Sequence, residues 1–285
     1  MNQPLPEIAE LIQPVQSNST AKSVQARRLA ISWTLRVASI VLCLFLWQAA
    51  STQGWHWIIQ FQNVPAPTEV VQATEQIIQS PKVLGHVVNS VRRIFIGFSL
   101  AAVLAIGLGL LIGRFRVASY ALLAPLEILR PIPAVAWIPL AILMFTTAEG
   151  SMIYITFIGA FFPILLNTVH GVQNLDGRLI VASRTLGAGP VAVFREVILP
   201  GALPAIVTGL SIGMGTSWFS LVTAEMISGQ FGIGYFTWES YTLQNYPDIV
   251  VGMIAIGVLG MISSWLIRLV GNWCMPWHRL GANTV

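Results

Sequence analysis

The chain has 285 residues, of which 55% are apolar and only 9% are charged. An average globular domain carries about 25% charged residues, so this composition excludes an ordinary soluble enzyme and a disordered protein. The net charge of +4 does not by itself indicate nucleic-acid binding. The composition predicts an all-α membrane protein instead, because each span of a bilayer needs about 20 apolar residues.

The polar start of the chain differs from everything after it. Residues 1–30 hold three prolines and no long apolar run, and we expect a cytoplasmic tail there. Residues 31–59 are predicted to form the first transmembrane helix. Its uncharged core, Val37–Ile59, exceeds the apolar region of a signal peptide, which has about 7–15 residues. Cleavage at Ala49-Ala50-Ser51 is the alternative, but the length favours an anchor.

Residues 60–90 are predicted to lie outside the membrane and to include a surface helix. Val64-Pro-Ala-Pro67 indicates an extended stretch. Thr68 is placed to cap a helix that runs to Gln79 and ends at Ser80-Pro81.

A core at residues 91–272 holds five further apolar runs, which gives six transmembrane helices in all. A tail at residues 273–285 follows. The runs lack the polar stripe of a soluble amphipathic helix. They are Ile94–Gly113, Val117–Phe145, Met152–Gly171, Leu203–Ala224 and Ile249–Ile267.

The basic residues orient these spans. With the N-terminus in the cytoplasm, 11 of the 15 basic residues fall on inner segments, and only Lys82, Arg92 and Arg93 fall on outer ones. Cytoplasmic loops are enriched in lysine and arginine, so both termini are predicted to be cytoplasmic. Trp55 and Trp57 are expected at the outer interface, and Trp273 and Trp277 at the inner one.

The sequence offers no candidate for catalysis or metal binding. Neither lysine follows a glycine, which excludes a phosphate-binding loop that ends in Gly-Lys-Ser/Thr. The four histidines show no metal-ligand spacing, and Cys43 and Cys274 are interpreted as unpaired packing residues. Transport, channel or scaffold roles are left.

Charged residues within the third apolar run are candidates for a translocation path. Glu127 and Arg130 share a helix face, and Pro131 and Pro133 are expected to break the helix just after them. An arginine beside a broken helix suits a small anion. The alternative is a structural Glu–Arg pair. Trp137 either lines the route or packs against neighbours.

The fifth apolar run carries a second polar group. Ser217, Ser220 and Glu225 lie near its predicted outer end, where they either form part of a gate or translocation path or make hydrogen bonds between helices. Gly229–Gly234 is predicted to be a loose outer loop.

The inner loop at residues 173–200 is the most informative segment. Two short helices are predicted in Asp176–Pro200, separated by Gly187–Pro190. Val193, Phe194, Val197 and Ile198 form an apolar face on the second helix. From these features alone, the loop is an amphipathic segment at the membrane surface.

The same loop resembles the EAA loop of ABC-importer permeases, which reads Glu-Ala-Ala, three residues, Gly, nine residues, Ile-x-Leu-Pro. Ala182, Gly187, Leu199 and Pro200 match this pattern. Val181 stands in place of the glutamate and Ser183 in place of the second alanine. The resemblance implies that these six residues belong to a loop that couples the permease to its ATPase.

Other segments are similar to the nitrate/sulfonate/taurine/bicarbonate permeases, so that the resemblance covers almost all of the chain after residue 60. These segments are Val64–Val70, Ser90–Phe98, Arg130–Leu140 and Gly159–Val169. The resemblance implies a type I ABC importer permease fold in a bacterial inner membrane.

The resemblance also implies the partners. They are a second copy of the permease in a homodimer, two ATPase subunits, an external solute-binding protein and the membrane lipid, with no nucleic acid. ATP and Mg would be bound by the ATPases, so the chain itself would need no cofactor and would not be catalytic.

We therefore expect the permease subunit of an ATP-driven importer for a small anion, with alkanesulfonate, taurine or nitrate as candidates. A stand-alone channel or an ion-coupled secondary transporter is the alternative, and it predicts transport without ATP. A membrane-embedded enzyme is a third hypothesis, for which the sequence offers no catalytic residues.

Overall fold

The computed structural model describes residues 18–54, 63–228 and 231–277, which form α-helices with no β-strand among them. The chain divides into two units, Met1–Thr68 and Glu69–Val285.

The first unit is built on one long helix. Helix α1 spans Asn18–Thr52, and its segment Ile31–Thr52 is long and apolar enough to cross a membrane. Large apolar side chains such as Phe45 are exposed along it, as expected for a helix surrounded by lipid. Its end is fastened to the following segment, because the Trp47 indole donates to the Pro65 carbonyl at 3.1 Å. Trp55 and Trp57 lie outside the described residues.

Four long helices dominate the rest of the chain. They are α3 (Pro81–Arg114), α7 (Ala148–Gln173), α10 (Leu199–Ser228) and α12 (Tyr246–Cys274). The chain reaches α10 through α9 (Pro190–Val193) and a π-helical turn (Phe194–Ile198), which extends the apolar stretch to Pro190–Ser228. With α1, these are five helices that can each cross a membrane.

The third predicted span is broken, as Pro131 and Pro133 indicated. Its first half contains α4 (Arg116–Ala118), a π-helical turn (Ser119–Leu123) and α5 (Ala124–Leu129). A 3₁₀ turn (Ala134–Trp137) and α6 (Ile138–Met144) form the second half. The halves are bent by 86°, because proline lacks the N–H that a helix needs and restricts the residue before it.

Helix α7 is the centre of the second unit and lies between α3 and α10. A Cβ added at Gly97 of α3 would lie 2.8 Å from Thr156, and one added at Gly109 would lie 2.6 Å from Thr168. The residue numbers at these two contacts increase along both helices in the same order, so α3 and α7 are parallel. After α3 the chain must cross back before α7 begins. The segment that lies between them is the bent pair of helical halves, Arg116–Leu129 and Ala134–Met144. We therefore count the bent pair as the sixth span.

The two ends of this bundle carry different short helices. The Glu225 end consists of the starts of α3, α7 and α12, the end of α10, and helices α2 (Pro67–Ile78) and α11 (Ile233–Thr242). The Gly187 end consists of the opposite ends of the long helices, together with α8 (Gly177–Thr185) and α9.

Three local details differ from the sequence-based expectation. Thr68 is the second residue of α2 rather than its cap, because Pro67 occupies the first position, where a missing N–H costs little. Pro81 likewise starts α3, inside the predicted external segment. The loop predicted to run to Gly234 ends at Gly232, since α11 begins at Ile233.

Candidate functional site

A buried ion pair lies at the Glu225 end. Arg93 of α3 and Glu225 of α10 are 2.8 Å apart, and their side chains are 3% and 0% exposed. A buried charge without a partner is strongly destabilising. The two residues therefore have to be considered as one structural unit.

Glu225 of α10 is held by groups from two other helices, α3 and α11. Besides Arg93, it accepts hydrogen bonds from the Ser90 hydroxyl at 2.7 Å and from the Gly234 backbone N–H at 2.9 Å. The same Ser90 oxygen accepts from the Ile233 N–H at 2.9 Å. Helices α3 and α10 are thus tied to the start of α11.

Arg93 also reaches a second carboxylate. Glu149, in the first turn of α7, lies 2.8 Å from Arg93 and 2.7 Å from Arg92. Arg93 donates in addition to the carbonyl of Phe231. Two arginines and two glutamates therefore form a cluster without net charge, which we call the Arg93 cluster (Arg92, Arg93, Glu149 and Glu225).

Glycine makes the cluster sterically feasible. Gly232 has φ +151°, and a Cβ there would collide with the Glu225 carboxylate. Its N–H donates to Nδ1 of the buried His86 at 3.0 Å, so a neutral His86 ring carries its proton on Nε2. A polar groove of about 590 Å³ adjoins His86 and is also lined by Lys82, Glu239 and Asp248.

The two serines predicted in the fifth span make contacts between helices. Ser217 donates to the Thr156 carbonyl of α7 at 3.3 Å, and Ser220 lies where α10 passes closest to Gly159. Thr216 donates to the Gly159 carbonyl at 2.7 Å. That carbonyl lacks its usual helical donor because the residue four positions on is Pro163. These contacts join α7 and α10. They agree with the second of the two roles suggested by the sequence, in which the polar residues connect neighbouring helices.

The predicted path residues of the broken span occupy different surroundings. Glu127 and Arg130 are exposed and form no ion pair with each other or with any other described residue. Arg130 lines a cavity of about 420 Å³ together with Pro133, Asn167 and His170. Trp137 packs against a core cluster, and its buried indole N–H has no partner among the described residues.

The predicted coupling loop forms the two short helices that the sequence indicated. Asp176 caps α8 through the Arg178 N–H at 2.9 Å. The helix ends at a turn in which Gly187 has φ +87°, a conformation that glycine adopts at little cost. Val193 and Ile198 are buried, whereas Arg195 and Glu196 are exposed, in agreement with the predicted amphipathic face.

The surface around the Gly187 turn is apolar and open. Val181, Leu186 and Val191 are 64%, 88% and 69% exposed. A Cβ added at Gly187 or Gly189 would meet nothing within 4 Å. Ala182 is exposed, Ser183 is half-buried, and Leu199 and Pro200 start α10. The tip of the loop therefore has open space around its glycines and exposed apolar side chains beside them.

Sequence reasoning singled out Glu225 of the Arg93 cluster but missed Arg92, Arg93, Glu149 and His86. In the sequence, Arg92 and Arg93 stand out as charges on a predicted outer segment and as part of the segment Ser90–Phe98. The signal was the spacing of Ser90, Arg93 and Gly97, which places one hydroxyl, one guanidinium and one small residue on a single helix face. No cluster of three potential metal ligands occurs within residues 18–54, 63–228 and 231–277.

Comparison with protein families gives one match over most of the chain. Residues 89–278 match the model of the binding-protein-dependent transport system inner membrane component. The chain is 35% identical over 248 residues to a nitrate import permease of Synechocystis sp., which covers 84% of this chain and 88% of the relative.

Two further relatives are named for other anions. A putative aliphatic sulfonates transport permease of Escherichia coli is 34% identical over 86% of this chain and 94% of its own length. A bicarbonate transport system permease of Synechococcus elongatus is 32% identical over 85% of this chain and 89% of its own length.

The fold is also found in a solved structure. A chain of the MetNI methionine ABC transporter, in an inward-facing conformation, superimposes with a TM-score of 0.52 at 22% identity. The match covers 68% of this chain and 94% of that one. This likeness concerns the fold alone.

Proposed function

Because the chain belongs to the family of inner-membrane components of binding-protein-dependent transport systems, as an ABC importer permease of the nitrate/sulfonate/bicarbonate type, we propose that it carries a small oxyanion across the inner membrane. A solute-binding protein would deliver the anion, and two partner ATPases would drive its passage through a permease homodimer.

The observation that carries this proposal is the exposed apolar turn at the Gly187 end. A side chain as apolar as Leu186, 88% exposed at the tip between two short helices, indicates a surface that a partner covers. Val193 of α9 and Ile198 of the π-helical turn pack in a core cluster with Val172 of α7 and Ala202 of α10, and Ile180 of α8 packs against the same cluster. A displacement of the turn by a partner would therefore be transmitted to the start of α10.

The class of substrate is inferred from the relatives and from Arg130. Nitrate, aliphatic sulfonates and bicarbonate, in the names of three relatives, are all small anions with several oxygen atoms. A guanidinium presents N–H donors in a fork that matches such oxygens. Arg130 has no ion-pair partner among the described residues and lines a cavity, which supports the same class.

The orientation is proposed from the distribution of basic residues. The Gly187 end would face the cytoplasm with both termini, and the Glu225 end would face outward. The polar groove beside His86 would then be accessible to the solute-binding protein. A cysteine introduced at Gln244 should react with a membrane-impermeant reagent in intact cells, and one at Gly189 should not. The opposite labelling pattern would refute this orientation.

The decisive test of the proposed function is association with an ATPase. Leu186→Asp should abolish co-purification with a co-expressed ATPase subunit that carries a Gly-x-x-x-x-Gly-Lys-Ser/Thr motif. The matched control is Leu243→Asp, which changes a residue that is 73% exposed at the opposite end. Equal recovery of ATPase with both variants would contradict the proposal. Uptake into proteoliposomes without ATP would favour the channel or ion-coupled carrier instead.

A further inference from the structure

The cavity beside Arg130 is formed where the broken span meets the centre of the bundle. Arg130 and Pro133 line it from the break, Asn167 and His170 from α7, and Ile212 from α10. We call it the Arg130 chamber. Its volume of about 420 Å³ lies at the lower end of the range for ligand pockets, about 300–1,000 Å³. A small anion with some of its hydration water fits such a space.

The polar groups that line the chamber include a positive charge and no negative one. Its lining includes a guanidinium, an imidazole and a side-chain amide, and no carboxylate is among the residues that form it. The remaining residues are mostly apolar or proline. Arg130 and His170 are both exposed, and the three ion pairs of the described residues leave Arg130 without a carboxylate partner. An anion would supply the missing charge.

Two of the donors lie on one face of α7, and one of them is fixed by a hydrogen bond. The Asn167 amide nitrogen donates to the Pro163 carbonyl at 2.8 Å. This contact fixes the amide and leaves its second N–H for another acceptor. His170 lies three residues later, on the same face of α7. Two N–H groups of α7 are thus placed on one side of the chamber, with Arg130 at the break.

We propose that the Arg130 chamber binds one small oxyanion through Arg130, Asn167 and His170. The proposal rests on the proposed function only for the idea that this anion is the transported one. His170 lies one turn from the end of α7, so the chamber is on the Gly187 side of the bundle's middle. An anion bound there would be on the side where the ATPases are proposed to act.

The test measures the local potential and anion binding directly, without transport or ATPase. Cys43 and Cys274, both exposed, are replaced by serine. Ala134→Cys then places a thiol in the chamber. We expect an anionic methanethiosulfonate reagent to modify it about tenfold faster than a cationic one, since a positive site concentrates anions. Sodium nitrate and sodium methanesulfonate should each slow that reaction, and sodium gluconate should not.

Controls separate the chamber from the general surface charge. Leu143→Cys, at a position 83% exposed and outside the chamber, should show neither the preference nor the protection. Arg130→Gln should remove both at Ala134→Cys, and Arg130→Lys should keep the preference. Arg116→Gln changes an exposed arginine of the same broken span and should change nothing.

Two outcomes would overturn the proposal. One is a preference at Ala134→Cys that survives Arg130→Gln or is lost equally in Arg116→Gln. The other is the absence of protection by both anions in the cysteine-substituted protein with Arg130 intact. If Arg130→Gln does not insert, protection in His170→Gln decides, because loss of a donor should weaken it. All these readouts leave the ATPase test of the proposed function unaffected.

Discussion

The two ends of the helix bundle differ: one contains buried charged residues, and the other contains exposed apolar residues. At the Glu225 end, Arg93 and Glu225 are buried, and each is matched by partners from the same chain. At the Gly187 end, apolar groups are exposed, and space is open around two glycines. The buried charges of the first end are thus satisfied within the chain, whereas the second end leaves apolar surface uncovered, where we propose that the ATPase binds.

This difference has a simple physical origin. A carboxylate such as Glu225, with no exposed surface, loses its hydration and requires both an opposite charge and hydrogen-bond donors. An exposed apolar side chain such as Leu186 has the opposite need, because it gains free energy when a partner's surface removes it from water. Changes at the first end should therefore alter stability, and changes at the second should alter association.

The largest effect is expected from breaking the buried pair. Arg93→Met leaves Glu225 as an uncompensated buried charge, so we expect a loss of about 3–5 kcal/mol. Thermal or denaturant unfolding of the purified permease in detergent measures it. The double change Arg93→Met with Glu225→Gln should recover part of the loss, because it removes both charges. A loss below about 1 kcal/mol in the single variant would contradict the assigned role.

The next effect concerns the glycine beside the carboxylate. Gly232→Ala adds a methyl group that would collide with Glu225, at a backbone φ of +151° that L-residues rarely adopt. We expect a loss of about 1–3 kcal/mol. Gly215→Ala is the matched control, since nothing lies within 4 Å of its added Cβ. It should be neutral or stabilising by about 0.5–1 kcal/mol. Equal losses in both variants would show that the Gly232 backbone is not constrained by the Arg93 cluster.

The fold could be predicted from the sequence because lipid imposes one simple requirement. A run of about 20 residues without charge indicates a span, and Pro131 with Pro133 indicated the break that the structure shows as an 86° bend. The loop at residues 173–200 could be located by its spacing of glycine and proline. Its amphipathic second helix followed from the positions of Val193 and Ile198.

The polar contacts could not be predicted in the same way, because they join residues that are distant in the sequence. Glu225 was singled out as a polar residue within a span, but its partner Arg93 precedes it by 132 positions. Helix periodicity says which residues share a face and does not say which helix that face meets. The alternative pair Glu127–Arg130 looked equally reasonable from spacing, yet it is not formed.

A change at the Gly187 end should alter coupling far more than stability. Gly187→Asp places a charge and a side chain at the proposed ATPase contact, where burial of an unpaired charge is costly. Aspartate tolerates positive φ better than most residues, so we expect a stability loss of about 1 kcal/mol or less. ATPase recovery and substrate-stimulated hydrolysis in the reconstituted complex should both fall. Wild-type values for both would remove the assignment of this turn as the coupling element.

The smallest effect is expected at the exposed edge of the Arg93 cluster. Arg92 lies 2.7 Å from Glu149, but the two side chains are 57% and 30% exposed, and such pairs contribute about 0–1 kcal/mol. In Arg92→Gln, Glu149 keeps its contacts to Arg93 at 2.8 and 3.0 Å. We therefore expect a loss of under about 1 kcal/mol that diminishes as salt is added, because salt screens exposed charges. Unfolding midpoints of Arg92→Gln and Arg93→Met at low and high salt provide the comparison. If the two variants lost equal stability at both salt concentrations, burial would not be what distinguishes the members of the cluster, and the cluster would have to act as a single cooperative unit.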